Sequence, residues 1–176
     1  TERVAHIIRQ LSTLTTPRSP EAELLDLNAL VRSTYGFVRY DKRFRGIEFE
    51  EALEHDLPAI TAVADHITQI LVNLLINAAD ASDALSTTGS CRIRIATRVA
   101  GDAVLLSVAD NGRGMTADVL AHAFDEAFTT KPAGQGRGIG LFVCKSLIEQ
   151  GGGRIELESA LGEGTTATVH IPLASP

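Results

Sequence analysis

Cysteine is scarce. Cys91 and Cys144 are the only two in 176 residues and stand far apart, so neither a disulfide framework nor a zinc knuckle is suggested and a reducing compartment is the default. No apolar run approaches the roughly 20 residues that span a bilayer, and no charged-then-apolar leader opens the chain. A soluble, cytoplasmic segment with no membrane contact of its own is therefore expected. Basic excess is missing too: 16 lysines and arginines face 22 acids, for a net charge of −6, which does not favour unspecific binding to a nucleic-acid backbone. No nucleic-acid partner is expected. His55, His66, His122 and His170 are scattered and suggest no metal site. The chain opens on Thr1 rather than methionine and reads as a piece of a longer protein, whose own anchoring the sequence does not address.

What is present is the composition of a globular protein, 44% hydrophobic and 22% charged, at a length that suits one α/β domain. In residues 1–16 the apolar Val4, Ile7, Ile8, Leu11 and Leu14 recur at helical spacing. Pro17 and Pro20 break that helix, and residues 17–25 read as a connector to a main domain over 26–176. Asp26 reads as the N-cap of a helix running to about residue 45, with Leu27, Leu30, Val31 and Phe37 facing inward. Residues 47–53 alternate as a strand, and 60–63 form a short extended piece. Asp65 then reads as the cap of a helix to about residue 85 that is apolar nearly all round and therefore buried. Strand-like runs at 92–99 and 104–109 join as a hairpin near Gly101-Asp102, ahead of a glycine-rich region over 112–140. A helix over 140–150 stops at Gly151-Gly152-Gly153, and two last strands, 154–158 and 165–171, flank a Gly162-Glu163-Gly164 turn. Strands cluster after the second helix instead of alternating with helices. The expected class is α+β: a two-layer α/β sandwich whose mixed, mostly antiparallel sheet carries its helices on one face.

Three places can carry chemistry. On the buried helix, Gln69, Asn73 and Asn77 lie four apart and put three amides in one stripe. Burying an amide without a partner costs about 1–3 kcal/mol, so either neighbouring backbone and water satisfy them or a hard cation and phosphate oxygens do. At a strand end stands Asp110-Asn111-Gly112-Arg113-Gly114. This is a turn signal by its Asn-Gly, or a carboxylate placed to accept from an exocyclic amine while the glycines let backbone approach a ring. Gly134-Gln135-Gly136-Arg137-Gly138-Ile139-Gly140-Leu141 leads into a helix whose first N–H groups attract phosphate, unless it is a plain surface connection. It lacks the Gly-Lys-Ser/Thr ending of a P-loop and the Gly-x-Gly-x-x-Gly spacing of dinucleotide folds. Thr129, Thr130 and Lys131 precede it with hydroxyls and a cation.

These pieces come in one order: Asn73-Leu74-Leu75-Ile76-Asn77-Ala78, Asp110-x-Gly112-x-Gly114, Phe124-Asp125-Glu126-Ala127-Phe128-Thr129-Thr130-Lys131, Gly136-Arg137-Gly138-Ile139-Gly140-Leu141, and Gly162-Glu163-Gly164-Thr165. The series closely resembles the catalytic, ATP-binding domain of two-component sensor histidine kinases, in the superfamily shared with DNA gyrase, heat-shock chaperone ATPases and mismatch-repair ATPases. The resemblance covers roughly residues 26–173. It implies a Bergerat-type fold with ATP between the amide-bearing helix and a lid. Asn77 would be the Mg²⁺ ligand, Asn73 a polar neighbour of the phosphates, Asp110 the adenine reader, and Gly112, Gly114 and Met115 the floor beside it. Thr130, Lys131 and Arg137 would serve the phosphate tail from the lid, bordered by Gly136, Gly138, Ile139, Gly140 and Leu141, and Thr165 would support the adenine pocket. Phe124 and Phe128 resemble the aromatic box that packs the lid, and a plain core role fits them equally.

Residues 1–16 resemble the end of the second helix of the dimerisation hairpin. The acceptor histidine of the family sits on the first helix, so His6 reads as a helix-surface or interface residue and the enzyme as incomplete without that helix. The implied partners are the dimerisation and histidine-phosphotransfer domain of the same protein, a response-regulator receiver domain and, for the parent, a second copy. Two departures bear on mechanism. Where water-hydrolysing relatives carry a glutamate one turn before the metal-binding asparagine, this chain has Asn73, which cannot accept a proton, so slow hydrolysis is expected. Where many members carry Lys-Tyr soon after the second asparagine, this chain has Asp80-Ala81-Ser82, leaving phosphate affinity to the lid. The alternatives are a non-catalytic nucleotide-sensing or interaction module and an anti-sigma-type serine kinase on the same fold.

Overall fold

Asp26 caps the first helix as its residue type suggests: its extended backbone precedes Leu27, and its carboxylate accepts from Ala29 N at 2.9 Å. The structure, a computed structural model, describes residues 21–82, 90–126, 128 and 139–173. Helix α1 (Leu27–Val38) ends seven residues earlier than its apolar pattern suggests, because Asp41 caps a separate 3₁₀ turn over Lys42–Phe44 and grips Arg43 through both carboxylate oxygens. Its buried stripe is Leu27, Leu30, Val31, Thr34 and Val38. That helical repeat leaves Phe37 outside and 46% exposed, a correction to the inward place its apolar side chain suggests.

The expected connector also changes. Its last residues form strand β1 (Glu23–Leu25), which pairs antiparallel with β3 (Ile60–Ala62) as a two-stranded sheet. The domain thus starts before Asp26. Residues 1–16, with His6, lie outside the described residues. Helix α2 (Ala64–Ser82) begins one residue before Asp65, which sits in the first turn near the positive end of the helix dipole and does not form the cap. Ile67, Ile70, Leu71, Val72, Leu74 and Leu75 are all buried around it, as the all-round apolar pattern requires.

The main sheet runs in the order β2 (Ile47–Leu53), β4 (Cys91–Ala100), β5 (Ala103–Asp110), β7 (Gly164–Pro172), β6 (Arg154–Ala160). Only β2 and β4 are parallel, so the sheet is mixed and mostly antiparallel. Ile93, Ile95, Val104, Leu106, Val108, Ala167, Val169 and Ile171 turn one face into the core, each large side chain contributing about 1.5–3 kcal/mol of burial. Helix α2 lies on that face against β4, β5 and β7. Both α1 and α4 (Gly140–Gln150) pack against α2, and α4 reaches β6. The opposite face carries exposed pairs such as Arg94–Glu50 at 3.3 Å and Arg92–Glu48 at 3.9 Å, of little worth individually. A five-residue helix α3 (Ala117–Ala121), capped by Thr116, lies in the glycine-rich stretch where the sequence shows no helical period. No helix of the described residues is long and apolar enough to cross a membrane.

One cross-strand row runs the width of the sheet. Register places Ser159, Thr165, Asp110, Ile93 and Phe49 side by side on β6, β7, β5, β4 and β2, all on the helix-covered face. The row is polar at one end and apolar at the other.

Candidate functional site

Asp110 closes β5, where the strand runs out of the core. Its carboxylate accepts from Gly112 N at 2.8 Å and from the Thr165 backbone N–H, yet burial outweighs both and pushes its pKa up to about 6. A carboxylate this desolvated has strong reason to accept from a ligand N–H. Gly112 then folds back onto the end of α2: a Cβ there would meet Asp110 Oδ1 at 2.7 Å and Ala81 Cβ at 2.8 Å, so no larger residue fits without displacement. Arg113 N completes the join by donating to Ala81 O at 3.2 Å. Gly114 has φ +64° and a Cβ there would run into Ala160 O, which ties the same loop to β6. Met115 N donates to Ser159 Oγ at 2.9 Å, and Ser159 Oγ lies 2.9 Å from Thr165 Oγ1.

The amide stripe meets this loop. Ala81 is one turn beyond Asn77 on α2, so Gly112 packs next to the stripe. Asn73 is 7% exposed, and its amide reaches Gly140 O only at 3.5 Å, with the thiol of Cys144 as its other neighbour. Burial pushes that thiol up to about 12, so Cys144 is inert packing. Asn77 is half-buried, and among the described residues its amide makes no hydrogen bond; a Cβ on Gly140 would sit 3.8 Å from Asn77 Nδ2. Gly140 opens α4, whose N-cap Ile139 makes no side-chain bond, so among the described residues no side chain caps the first-turn N–H groups, and the helix start suits an anion. Leu141 behind it packs on the core.

The structure thus gathers Asn73, Asn77, Asp110, Gly112, Gly140 and Thr165 around the C-terminal half of α2, with Gly114, Met115 and Ile139 at its borders. Thr130, Lys131, Gly136, Arg137 and Gly138 lie outside the described residues. Phe124 packs against the core with Lys145 Nζ 5.8 Å over its ring, and the Phe128 ring lies 5.8 Å from that of His122. Ser159 carries no motif that marks it in the sequence, although its place opposite Thr165 follows from strand alternation across the Gly162-Glu163-Gly164 turn. Among the described residues no group of three or more His, Cys, Asp and Glu side chains could hold a metal. The Asn77 carboxamide offers one oxygen with no partner among the described residues, which suits Mg²⁺ that keeps its waters and takes its other ligands from phosphates.

Comparison with known proteins decides the class. Residues 62–175 match the family of histidine kinase-, DNA gyrase B- and HSP90-like ATPases. The chain belongs to that family. Among curated relatives, the sensor histidine kinase ZraS of Escherichia coli K12 is 33% identical over 172 residues, covering 98% of this chain and 36% of the relative. ZraS of Klebsiella oxytoca is 35% identical over 173 residues, with the same coverage of 98% and 36%. The chain spans about a third of the length of these relatives. Among solved structures, the catalytic domain of histidine kinase ThkA in a nucleotide-free form superposes with a TM-score of 0.71 at 29% identity, covering 86% of this chain and 95% of that one. The α/β sandwich, with its mixed, mostly antiparallel sheet, is the Bergerat fold of histidine-kinase catalytic domains, and nucleotide binding is the family's common property.

Proposed function

We propose that this chain binds Mg-ATP in the site around α2 and acts as the catalytic domain of a two-component sensor histidine kinase. It delivers the γ-phosphoryl group to a histidine on a dimerisation domain of the same protein, for onward transfer to a response-regulator aspartate. The parent acts as a homodimer in the cytoplasm. The observation that carries the reading is the juxtaposition of an amide with no hydrogen bond among the described residues, Asn77, with a desolvated carboxylate, Asp110, bridged by Gly112 packing on Ala81. One end suits phosphates and the other an amine-bearing base.

The work of the chain is positional. Asp110 accepts from the base amine, Gly112 lets backbone lie flat beside it, and the open N-terminus of α4 orients phosphate oxygens. Mg²⁺, which Asn77 would hold, supplies charge neutralisation on the phosphates when bound. In transfer the bond from the γ-phosphorus to ADP oxygen breaks, a phosphorus–nitrogen bond to the imidazole forms, and ADP leaves. Asn73 stands where a base would have to sit to activate water, and an amide accepts no proton, so hydrolysis stays slow and the phosphoryl group is kept for histidine.

The test mixes the chain with γ-labelled Mg-ATP and a dimerisation-domain polypeptide bearing the acceptor histidine. Acid-labile, base-stable label on that polypeptide is the expected result. Acid-stable label on serine would overturn the reading in favour of an anti-sigma-type kinase, and ATP binding without any transfer in favour of a nucleotide-sensing module.

A further inference from the structure

We infer that Ser159 is a specificity-determining positioning residue of the nucleotide site: it fixes the Thr165 hydroxyl as a hydrogen-bond acceptor, so that the site selects a purine whose edge carries an exocyclic amine. The inference rests on the proposed nucleotide binding and names what part of the ligand the site reads.

The supply of protons decides the matter. A serine hydroxyl has one to donate and two lone pairs to accept with. Ser159 Oγ accepts from Met115 N at 2.9 Å and donates to Gly164 O at 2.8 Å, so its single proton is already committed. At its third contact, Thr165 Oγ1 at 2.9 Å, it can therefore only accept, and Thr165 must be the donor. The Thr165 proton is spent inside the protein, and lone pairs are all its oxygen has left to present.

Register puts Thr165 directly across from Asp110 on one side and from Ser159 on the other, with all three side chains on the helix-covered face. The Asp110 carboxylate is acceptor-only when ionised, and its internal donors are the backbone N–H groups of Gly112 and Thr165. Two acceptors thus stand side by side at the end of the sheet. An amine meets both with N–H. A carbonyl oxygen in the same place sets lone pairs against lone pairs, and a polar group left unpaired in a partly dry site is what makes hydrogen-bonding pockets selective. Without Ser159 the Thr165 hydroxyl turns freely and can donate to a carbonyl, so the discrimination depends on a residue that need not touch the base.

The experiment measures the affinity of the full chain for Mg-ATP and for magnesium inosine triphosphate, which has a carbonyl at the position of the adenine amine and no 2-amino group. Wild type is expected to prefer ATP. Ser159→Ala should shrink the ATP-to-inosine ratio about tenfold, chiefly by improving the inosine nucleotide, while Ser159→Thr, which keeps the hydroxyl, restores the ratio. In a Thr165→Val background the Ser159→Ala change should leave the ratio where Thr165→Val put it, because the proton it releases is gone. If Ser159→Ala does not fold, Ser159→Cys, whose sulfur is a poor acceptor for the Thr165 hydroxyl, carries the same expectation. A parallel loss of both affinities with an unchanged ratio would make Ser159 a packing residue and overturn the inference alone. Failure of wild type to bind ATP would overturn it together with the proposed nucleotide binding.

Discussion

Asn28 on α1 and Asn73 on α2 are equally buried, each 7% exposed, yet they sit in opposite circumstances. The Asn28 amide donates to Glu54 O at 2.8 Å and accepts from Thr97 Oγ1 at 2.7 Å, and Thr97 Oγ1 in turn accepts from Glu54 N at 3.2 Å. That cluster is closed. Asn73 has only a bond at the 3.5 Å limit to Gly140 O and a weak one to the Cys144 thiol, and Asn77 one turn on has none among the described residues. Burial alone therefore does not mark a site; unspent hydrogen-bonding capacity near a half-buried carboxylate does. Substitutions in the open cluster should remove binding and spare the fold, and those in the closed cluster the reverse.

The largest effect is expected at Asn77. Asn77→Ala should weaken Mg²⁺-dependent ATP binding by on the order of 100-fold, since direct ligands matter at least as much as their supports, while the melting temperature changes little because no hydrogen bond among the described residues is lost. Titration calorimetry with and without Mg²⁺ beside a thermal melt checks both halves. A large loss of stability with retained binding would place Asn77 in the closed class.

Asp110→Asn is the next test and has an unusual sign. With its pKa raised to about 6 from 3.8, Asp110 in the folded chain keeps its proton over a pH range where the unfolded chain has released it. More protons are bound in the folded state across that window, so stability falls as pH rises from about 4 to about 6, and the buried charge remains a cost at neutral pH. Asp110→Asn should therefore raise the melting temperature of the ligand-free chain at pH 7. It should also weaken ATP by about 10- to 100-fold, because the amide brings a donor where the amine needs an acceptor. In wild type, ATP affinity should fall as pH drops through about 6 and the carboxylate protonates. A destabilised Asp110→Asn chain, or affinity flat between pH 5 and 8, would contradict the role given to Asp110.

The open cluster is readable in the sequence because its parts obey local rules. Three amides four apart fall on one helix face wherever the helix goes, and a carboxylate after a strand run with glycines behind it marks a strand end. The closed cluster is not, since Asn28 and Thr97 are 69 residues apart and only the packing of α1 on the sheet joins them. Helix α3 escapes detection because five residues hold too little period, and α1 reads as too long because the Asp41 cap looks locally like any turn residue. Ser159 lies between these cases: strand alternation places it, but its three partners appear only once β6 and β7 are paired and Met115 is brought across.

The smallest effect on function, and a test of the comparison from its other side, belongs to the closed cluster. Asn28→Ala strips a donor from Glu54 O and an acceptor from Thr97 Oγ1, leaving two polar groups to find new partners in a buried corner. A cost of about 1–3 kcal/mol in unfolding free energy is expected by denaturant titration. Thr97→Val alone should cost a similar amount, and the double variant less than the sum, since each change deletes the same bond and removing both partners spares the orphan. ATP affinity should stay within about twofold of wild type in all three, because the Thr97 row lies four residues along β4 from the row that holds Asp110. A tenfold loss of affinity with Asn28→Ala would mean that the closed cluster sets the angle of the helix layer over the site, and saturation of hydrogen bonds would no longer separate scaffold from site in this protein.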